Sequence, residues 1–150
     1  MELVTAVTIL AKLDTLGAKS YAPQFALYSS KVAAGFPSPA DDYLESTLDL
    51  NEYLIKHPAA TFMVRAQGDS MQGAGIYNGD LLIVDRSIEA ADGKIVIAAL
   101  NGELTVKRLS CRNSRVRLVP ANPNYSPIDI TEEVDLVIWG VVTHIIHQAL

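Results

Sequence analysis

The sequence predicts a mostly β fold: a compact antiparallel β domain preceded by a flexible N-terminal arm. From Thr61 onward, short segments rich in β-branched residues recur without helical periodicity between them, and turn-forming residues separate the segments. Residues 1–34 differ, because a glycine, a proline and a serine pair interrupt any long regular element. We therefore expect an arm over residues 1–34 and a β domain over residues 35–150.

The arm has helical spacing only at its start. The apolar residues that keep this spacing are Leu3, Val7, Leu10 and Leu13. Gly17 and Pro23 prevent a continuation, so at most one short helix is expected. The segment Phe36–Ala40 contains two prolines and is predicted to be extended. Asp41–Lys56 is predicted to hold a short helical stretch that ends at His57-Pro58.

Six strands are predicted after residue 60. They are Thr61–Ala66, Asp80–Asp85, Lys94–Leu100, Glu103–Leu109, Arg115–Val119 and Leu136–Ile146. Turn residues lie between them at Asn78-Gly79, Asp92-Gly93, Asn101-Gly102 and the proline-rich stretch 120–127. Asn101-Gly102, which separates two apolar segments by two residues, is a strong hairpin signal.

Composition limits the functional classes. The chain has 150 residues, of which 49% are hydrophobic, enough for one domain with a real core. No apolar run approaches the roughly 18 residues that a membrane-spanning helix needs. A single cysteine, Cys111, excludes an internal disulfide and favours a reducing compartment, so we expect the cytoplasm.

Charge argues against sequence-specific DNA binding. The net charge is −5, with +1 on residues 1–34 and −6 on residues 35–150. The acidic residues 35–150 would therefore be repelled by DNA phosphates. One run is basic, and it consists of Lys107, Arg108, Arg112, Arg115 and Arg117. We interpret this run as the charged edge of a solvated hairpin, and contact with DNA stays open.

Gly68-Asp69-Ser70-Met71 is a candidate nucleophile segment. Gly68 and the small residues after Met71 allow a tight turn that exposes the Ser70 hydroxyl. A serine hydroxyl is a poor nucleophile until a base removes its proton. Backbone N–H groups of Ser70 and Met71 are candidates for an oxyanion hole. Taken alone, such a turn is more often structural than catalytic.

Lys107 is the better candidate for the base. The histidines, His57, His144 and His147, have no recognisable triad context. Lys107 lies in a strand pattern in which Thr105, Lys107 and Leu109 share one face. A lysine base must lose its proton near neutral pH, and burial lowers a lysine pKa in this way. No metal or cofactor is expected, since no Cys-x-x-Cys, His-Glu-x-x-His, Gly-x-Gly-x-x-Gly or Walker motif occurs.

These motifs together resemble a known family. The matching segments, in order, are Gly35–Ala40, Asp49–Asn51, His57-Pro58, Gly68–Met71, Asn78–Asp85, Thr105–Lys107 and Trp139–Val142. The sequence resembles the UmuD-like SOS mutagenesis proteins of the LexA, UmuD and phage-repressor autopeptidase superfamily. The resemblance covers roughly residues 33–146 and implies a β domain of the LexA/UmuD C-terminal type.

The resemblance implies a mechanism and partners. In this family a neutral lysine activates a serine, which implies that Ser70 is the nucleophile and Lys107 the general base. The cleaved bond joins a small residue to glycine, which implies Ala34–Gly35; some UmuD proteins have cysteine at the first position. The family also implies cleavage promoted by the RecA filament on single-stranded DNA. The cleaved product is then expected to form a homodimer that binds a UmuC-type Y-family translesion polymerase.

Three other functions are alternatives to a self-cleaving SOS accessory protein. A LexA-like repressor needs a DNA-binding domain before the cleavage site, and 34 residues of charge +1 are too short for one. A type I signal peptidase needs a membrane anchor. A non-enzymatic polymerase-binding or inhibitory module with a vestigial peptidase stays open as the alternative.

Overall fold

The structure is a computed structural model that describes residues 23–28, 31–37 and 44–150. Its described residues divide into two compact units, which meet in sequence between Lys56 and His57. The helix predicted within Leu3–Leu13 lies outside the described residues.

The first unit contains a two-stranded antiparallel sheet. Strand β1 (Phe25–Tyr28) pairs with strand β2 (Leu44–Leu48), and helix α1 (Leu50–Leu54) follows. Helix α1 confirms the short helical stretch predicted within Asp41–Lys56, whereas Leu44–Leu48, just before it, form a strand that was not predicted. The Asp49 side chain caps α1 by accepting hydrogen bonds from two backbone N–H groups, so the helix begins only after Asp49. Upstream of this cap, pairing with β1 satisfies the backbone instead.

The second unit is built on one antiparallel sheet of seven strands. They are β3 (Thr61–Arg65), β4 (Leu81–Asp85), β5 (Ile95–Leu100), β6 (Glu103–Arg112), β7 (Arg115–Val119), β8 (Ile128–Asp129) and β9 (Leu136–Ile146). Their order across the sheet is β3-β4-β9-β5-β6-β7-β8. The six predicted strands and the mostly β fold class are confirmed, with small shifts at their ends. Strand β8 was not predicted, since two residues give no usable periodicity.

Two hairpin turns connect β5, β6 and β7. Asn101 and Gly102 have φ of 49° and 86°, and the flanking residues pair directly, which confirms the predicted hairpin. Strand β6 continues three residues beyond its predicted end at Leu109. The next turn then forms at Asn113 and Ser114, with φ of 53° and 60°. This turn contains no glycine, and the sequence analysis did not identify it.

Alternating residues of β5 supply two hydrophobic clusters. Ile97 packs in a cluster with Phe62, Met71 and Leu82, whereas Val96 and its neighbours on the opposite face pack in another. The buried members of the second cluster are Val96, Ala98, Leu109, Leu118 and Val141. Strand β5 is therefore buried on both faces, which explains its continuous apolar sequence. Among the residues described, no helix is long and apolar enough to cross a membrane.

Candidate active site

Ser70 lies on the turn between β3 and β4, which we call the nucleophile turn (residues 68–75). Gly68 has φ of +88°, a conformation that side-chain-bearing residues rarely adopt. The side chain of Met71 is 2% exposed and belongs to the first hydrophobic cluster. Burial of Met71 thus anchors the turn immediately after Ser70, while Ser70 itself stays half-buried.

Lys107 lies within β6, directly opposite Val96 of β5. It is 9% exposed. Its Nζ lies 3.0 Å from Ser70 Oγ, and it also donates hydrogen bonds to Thr105 Oγ1 at 2.7 Å and to the Val106 carbonyl oxygen at 3.0 Å. The structure therefore brings the two predicted catalytic side chains into direct contact.

Burial lowers the pKa of Lys107 below its ordinary value of 10.5. No carboxylate oxygen of a described residue lies within salt-bridge distance of Nζ to oppose this shift. A neutral amine has two N–H donors and one lone pair. Thr105 and Val106 provide two acceptors, and Ser70 provides a hydroxyl that can donate to the lone pair. The surroundings of Nζ thus suit a neutral lysine that accepts the serine proton.

A cavity of about 500 Å³ opens at Ser70 and Lys107. Four strands supply its other lining residues. Met63, Val64 and Arg65 belong to β3, Ala66 and Gln67 follow it, Leu81 and Leu82 begin β4, Ile97 lies in β5, and Leu104, Thr105 and Val106 lie in β6. Strand β3 is an edge strand of the seven-stranded sheet. An extended peptide can add to such an edge through main-chain hydrogen bonds, so the cavity is suited to a peptide substrate.

The amides proposed for an oxyanion hole lie on the same turn. Among the described residues, neither the Ser70 nor the Met71 N–H donates a hydrogen bond within the protein, whereas the following amides of Gln72 and Gly73 do. Two adjacent N–H groups next to a nucleophile are the arrangement that stabilises an oxyanion.

The histidines take part in other interactions. His57 Nδ1 lies 2.6 Å from Asp85 Oδ2, and His147 Nδ1 lies 2.6 Å from Asp80 Oδ1. His144 contacts the Thr143 hydroxyl. The two histidine-bonded carboxylates lie at the ends of β4, since Asp80 directly precedes the strand and Asp85 is its last residue. Both are 4% exposed, and their carboxylates accept hydrogen bonds from nearby backbone N–H groups and the Ser87 hydroxyl in addition to their contacts with the distant histidines.

The basic run does not form one continuous face. Lys107 faces the cavity, Arg112 pairs with Asp92, and Arg115 pairs with Asp129. Arg108 is exposed and donates to a backbone carbonyl. This distribution fits the interpretation of a hairpin with charged edges. No cluster of metal-ligating side chains occurs among the residues that the structure describes.

Ala34 and Gly35 lie in the first unit, on the exposed segment 31–37, which is neither helix nor strand. Three hydrogen bonds near Ser70 were not predicted. Thr105 bonds Lys107, and their shared strand face was the signal available for it. Asp69 bonds Asn122 and Tyr125 across more than 50 residues, and nothing local in the sequence signals that pairing.

Comparisons with known proteins give the family. Residues 26–143 match the Peptidase S24-like family. The chain is 52% identical to protein SamA of Salmonella typhimurium over 122 residues, which are 81% of this chain and 84% of SamA. It is 51% identical to protein ImpA of Escherichia coli over 81% of this chain and 83% of ImpA.

More distant relatives extend the comparison. Identity to protein MucA of Salmonella typhimurium is 46%, over 78% of this chain and 80% of MucA. Identity to LexA repressor 2 of Pseudomonas syringae pv. tomato is 41%, over 79% of this chain but only 58% of the repressor. With this coverage and with the motifs around Ser70 and Lys107, the chain belongs to the Peptidase S24-like family and is a UmuD-like member of it.

Proposed function

We propose that this protein is a serine autopeptidase that cuts its own Ala34–Gly35 bond, with Ser70 as nucleophile and Lys107 as general base. One observation carries the proposal: the Nζ of a buried lysine lies 3.0 Å from Ser70 Oγ, in a cavity suited to a peptide. Membership of a peptidase family supports it. Cleavage would divide the chain into an arm of residues 1–34 and a domain of residues 35–150.

The reaction begins with neutral Lys107. Its Nζ takes the proton of the Ser70 hydroxyl while Oγ attacks the carbonyl carbon of Ala34. The resulting oxyanion receives hydrogen bonds from the Ser70 and Met71 amides. The carbon–nitrogen bond then breaks, and Lys107 gives its proton to the departing amine of Gly35. Ala34 is left as an ester on Ser70.

Water completes the reaction. Lys107, neutral again, takes a proton from a water molecule that attacks the ester carbonyl. The ester bond breaks, the proton passes to Ser70 Oγ, and the arm is released with a carboxylate at Ala34. The small side chains at the cleaved bond suit a narrow site, and glycine tolerates a backbone conformation that other residues resist. All seven residues of segment 31–37 are exposed, which leaves the bond accessible.

The proposed biological role is that of an SOS accessory protein. The UmuD-like relationship supports a role in SOS mutagenesis. In this proposal the RecA filament on single-stranded DNA promotes self-cleavage. A homodimer of the product then binds a UmuC-type polymerase and makes it competent for translesion synthesis. These partners act in the cytoplasm, where the proposal therefore places the protein. The acidic net charge of −5 supports action through protein partners rather than direct DNA binding.

Intact mass spectrometry tests this function. The purified full chain is incubated with RecA, an ATP analogue and single-stranded DNA, beside Ser70→Ala and Lys107→Ala variants. A product that begins at Gly35, absent from both variants, is expected. No product, with RecA shown to be active on a known substrate, would favour a non-enzymatic polymerase-binding module. A product with another end would disprove the assignment of the Ala34–Gly35 bond.

A further inference from the structure

We propose that the loop of residues 121–125 positions the nucleophile turn, with Asn122 and Tyr125 as positioning residues for Ser70. The inference rests on the proposed self-cleavage and adds residues to it. Neither side chain is among those that contact Lys107, so the loop would act on the nucleophile alone. Four hydrogen bonds and one close backbone approach carry the inference.

The backbone of Ala121 is hydrogen-bonded to two residues of the nucleophile turn. The Ala121 N–H donates to the Ser70 carbonyl oxygen at 2.8 Å, and the Ala121 carbonyl accepts from the Gly73 N–H at 2.7 Å. A single residue of the loop is thus bonded to the nucleophile and to the residue three positions after it. A β-carbon at Gly73 would lie 2.6 Å from the Ala121 oxygen, so this approach requires glycine.

Two side chains of the loop hold the residue before the nucleophile. Asn122 Nδ2 donates to the Asp69 carbonyl oxygen at 2.9 Å, and the Tyr125 hydroxyl donates to Asp69 Oδ1 at 2.5 Å. The Asp69 carboxylate raises the pKa of Tyr125, which keeps the hydroxyl protonated and able to donate. Within the loop, the Asn122 side chain accepts from the Asn124 N–H, which fixes the loop shape.

The exposure of Tyr125 argues against a packing role. The residue is 46% exposed and belongs to neither hydrophobic cluster. Among the described residues, the hydrogen bond that its side chain makes is the one to Asp69. Misplacing a reacting group by about 1 Å can cost on the order of 10²-fold in rate, so constraints on both sides of Ser70 matter for catalysis.

Self-cleavage rates as a function of pH test the inference. The variants are Tyr125→Phe and Asn122→Ala, each assayed as the full chain by intact mass, well below its own Tm. Tyr77→Phe is the matched control, because Tyr77 is 44% exposed and its hydroxyl makes no hydrogen bond to a described residue. We expect the plateau rate to fall about tenfold in each test variant, as the loss of one strong hydrogen bond predicts.

The pH profile separates positioning from other effects. Since the loop does not contact Lys107, the midpoint of the profile should stay at its wild-type value in both test variants. Combining Asp69→Ala with Tyr125→Phe should slow cleavage no more than Asp69→Ala alone, because both changes remove the same bond. Tyr77→Phe should cleave at the wild-type rate.

The outcomes distinguish this inference from the proposed function. Cleavage by Tyr125→Phe and Asn122→Ala at the wild-type rate would overturn the positioning role and leave the peptidase intact. A shift of the midpoint of the pH profile in either test variant would also overturn the positioning role, because the loop would then act on Lys107. No cleavage of the wild-type chain at any pH would overturn both proposals together. If Asn122→Ala does not fold, Asn122→Asp, which keeps the acceptor oxygen for Asn124 but has no N–H donor, replaces it.

Discussion

The Nζ of Lys107 lies 3.0 Å from the Oγ of Ser70, although 37 residues separate them in sequence. Two features produce this contact. Alternation along β6 directs Lys107 to the same face as Thr105, and the buried side chain of Met71 fixes the turn that holds Ser70. The lysine has no carboxylate partner among the described residues. Burial therefore acts on its pKa without the opposing effect of an ion pair.

Thr105→Val is predicted to slow self-cleavage and to move its pH profile. Thr105 Oγ1 accepts a hydrogen bond from Nζ, and this bond stabilises the charged lysine more than the neutral one. Its loss should lower the pKa of Lys107 further, so the midpoint of the rate profile moves to lower pH. The plateau rate should fall about tenfold, because Nζ loses one of its three partners. Cleavage rates from about pH 6 upward, measured by intact mass, check this.

Thr143→Val is the control for that prediction. It removes a threonine hydroxyl from β9 of the same sheet, where Oγ1 contacts the Ile83 carbonyl instead of Lys107. The control should keep the wild-type midpoint. A pH profile of Thr105→Val identical to that of the wild type would show that Thr105 does not affect the pKa of Lys107.

Lys107→Met is predicted to stabilise the fold at neutral pH. Because burial lowers the pKa of Lys107, the folded wild-type protein binds fewer protons than the unfolded chain between that lowered pKa and about 10.5. Wild-type stability therefore rises with pH across this window. A methionine side chain does not titrate, so the advantage of the variant should shrink as pH rises. Urea denaturation of both chains at several pH values measures the difference, and an advantage that grows with pH would contradict the burial argument.

Asp80→Asn is predicted to destabilise the second unit at neutral pH. The Tyr77 backbone N–H, followed by His147, lowers the pKa of Asp80. A carboxylate with a lowered pKa contributes stability above its ordinary pKa of 3.8, and the contribution is lost as pH falls through the lowered value. The difference in denaturation midpoint between wild type and variant should therefore narrow in acid. Glu89→Gln, a change at an exposed carboxylate, is the control for loss of a surface charge and should keep the wild-type denaturation midpoint at neutral pH.

Alanine substitutions at Gly73 and Gly140 should distinguish a steric clash beside the proposed active site from a clash of similar size elsewhere in the sheet domain. A β-carbon would lie 2.6 Å from the Ala121 oxygen at Gly73 and 2.7 Å from Val84 Cγ1 at Gly140. Each change should cost about 1–3 kcal/mol in the free energy of unfolding. Only Gly73→Ala should also slow self-cleavage when both are assayed well below their Tm. Equal cleavage rates for the two variants would contradict a special role for the approach of Ala121.

The seven-stranded sheet and helix α1 could largely be predicted from the sequence, whereas the two-stranded sheet of the first unit could not. Strand β5 and its hairpin at Asn101-Gly102 have strong local signals. Leu44–Leu48 has only two apolar residues, at its ends, and it becomes a strand through pairing with Phe25–Tyr28. That pairing depends on residues more than 15 positions away, which local periodicity does not reveal. The turn at Asn113 and Ser114 was missed because neither residue requires a positive φ.

Ser70 and Lys107 could be proposed as a pair from the sequence, but most of the contacts that hold the residues around them could not be predicted. Ser70 and Lys107 each have a local pattern, and the family resemblance joined them. Asp69 shows no pattern that would link it to Asn122 or Tyr125, which approach only in the folded sheet. Asp80 has a histidine partner 67 residues away, so its burial could not be inferred from the flanking residues.

Self-cleavage of the purified full chain without RecA would show directly whether Ser70 and Lys107 cut the Ala34–Gly35 bond. Wild type, Ser70→Ala and Lys107→Arg are incubated across a range from about pH 6 to about pH 11, and the products are identified by intact mass. Products 1–34 and 35–150 are expected for the wild type only, at a rate that rises with pH as Lys107 loses its proton. Cleavage by Lys107→Arg, whose side chain stays charged, or a wild-type rate that does not rise with pH, would contradict it.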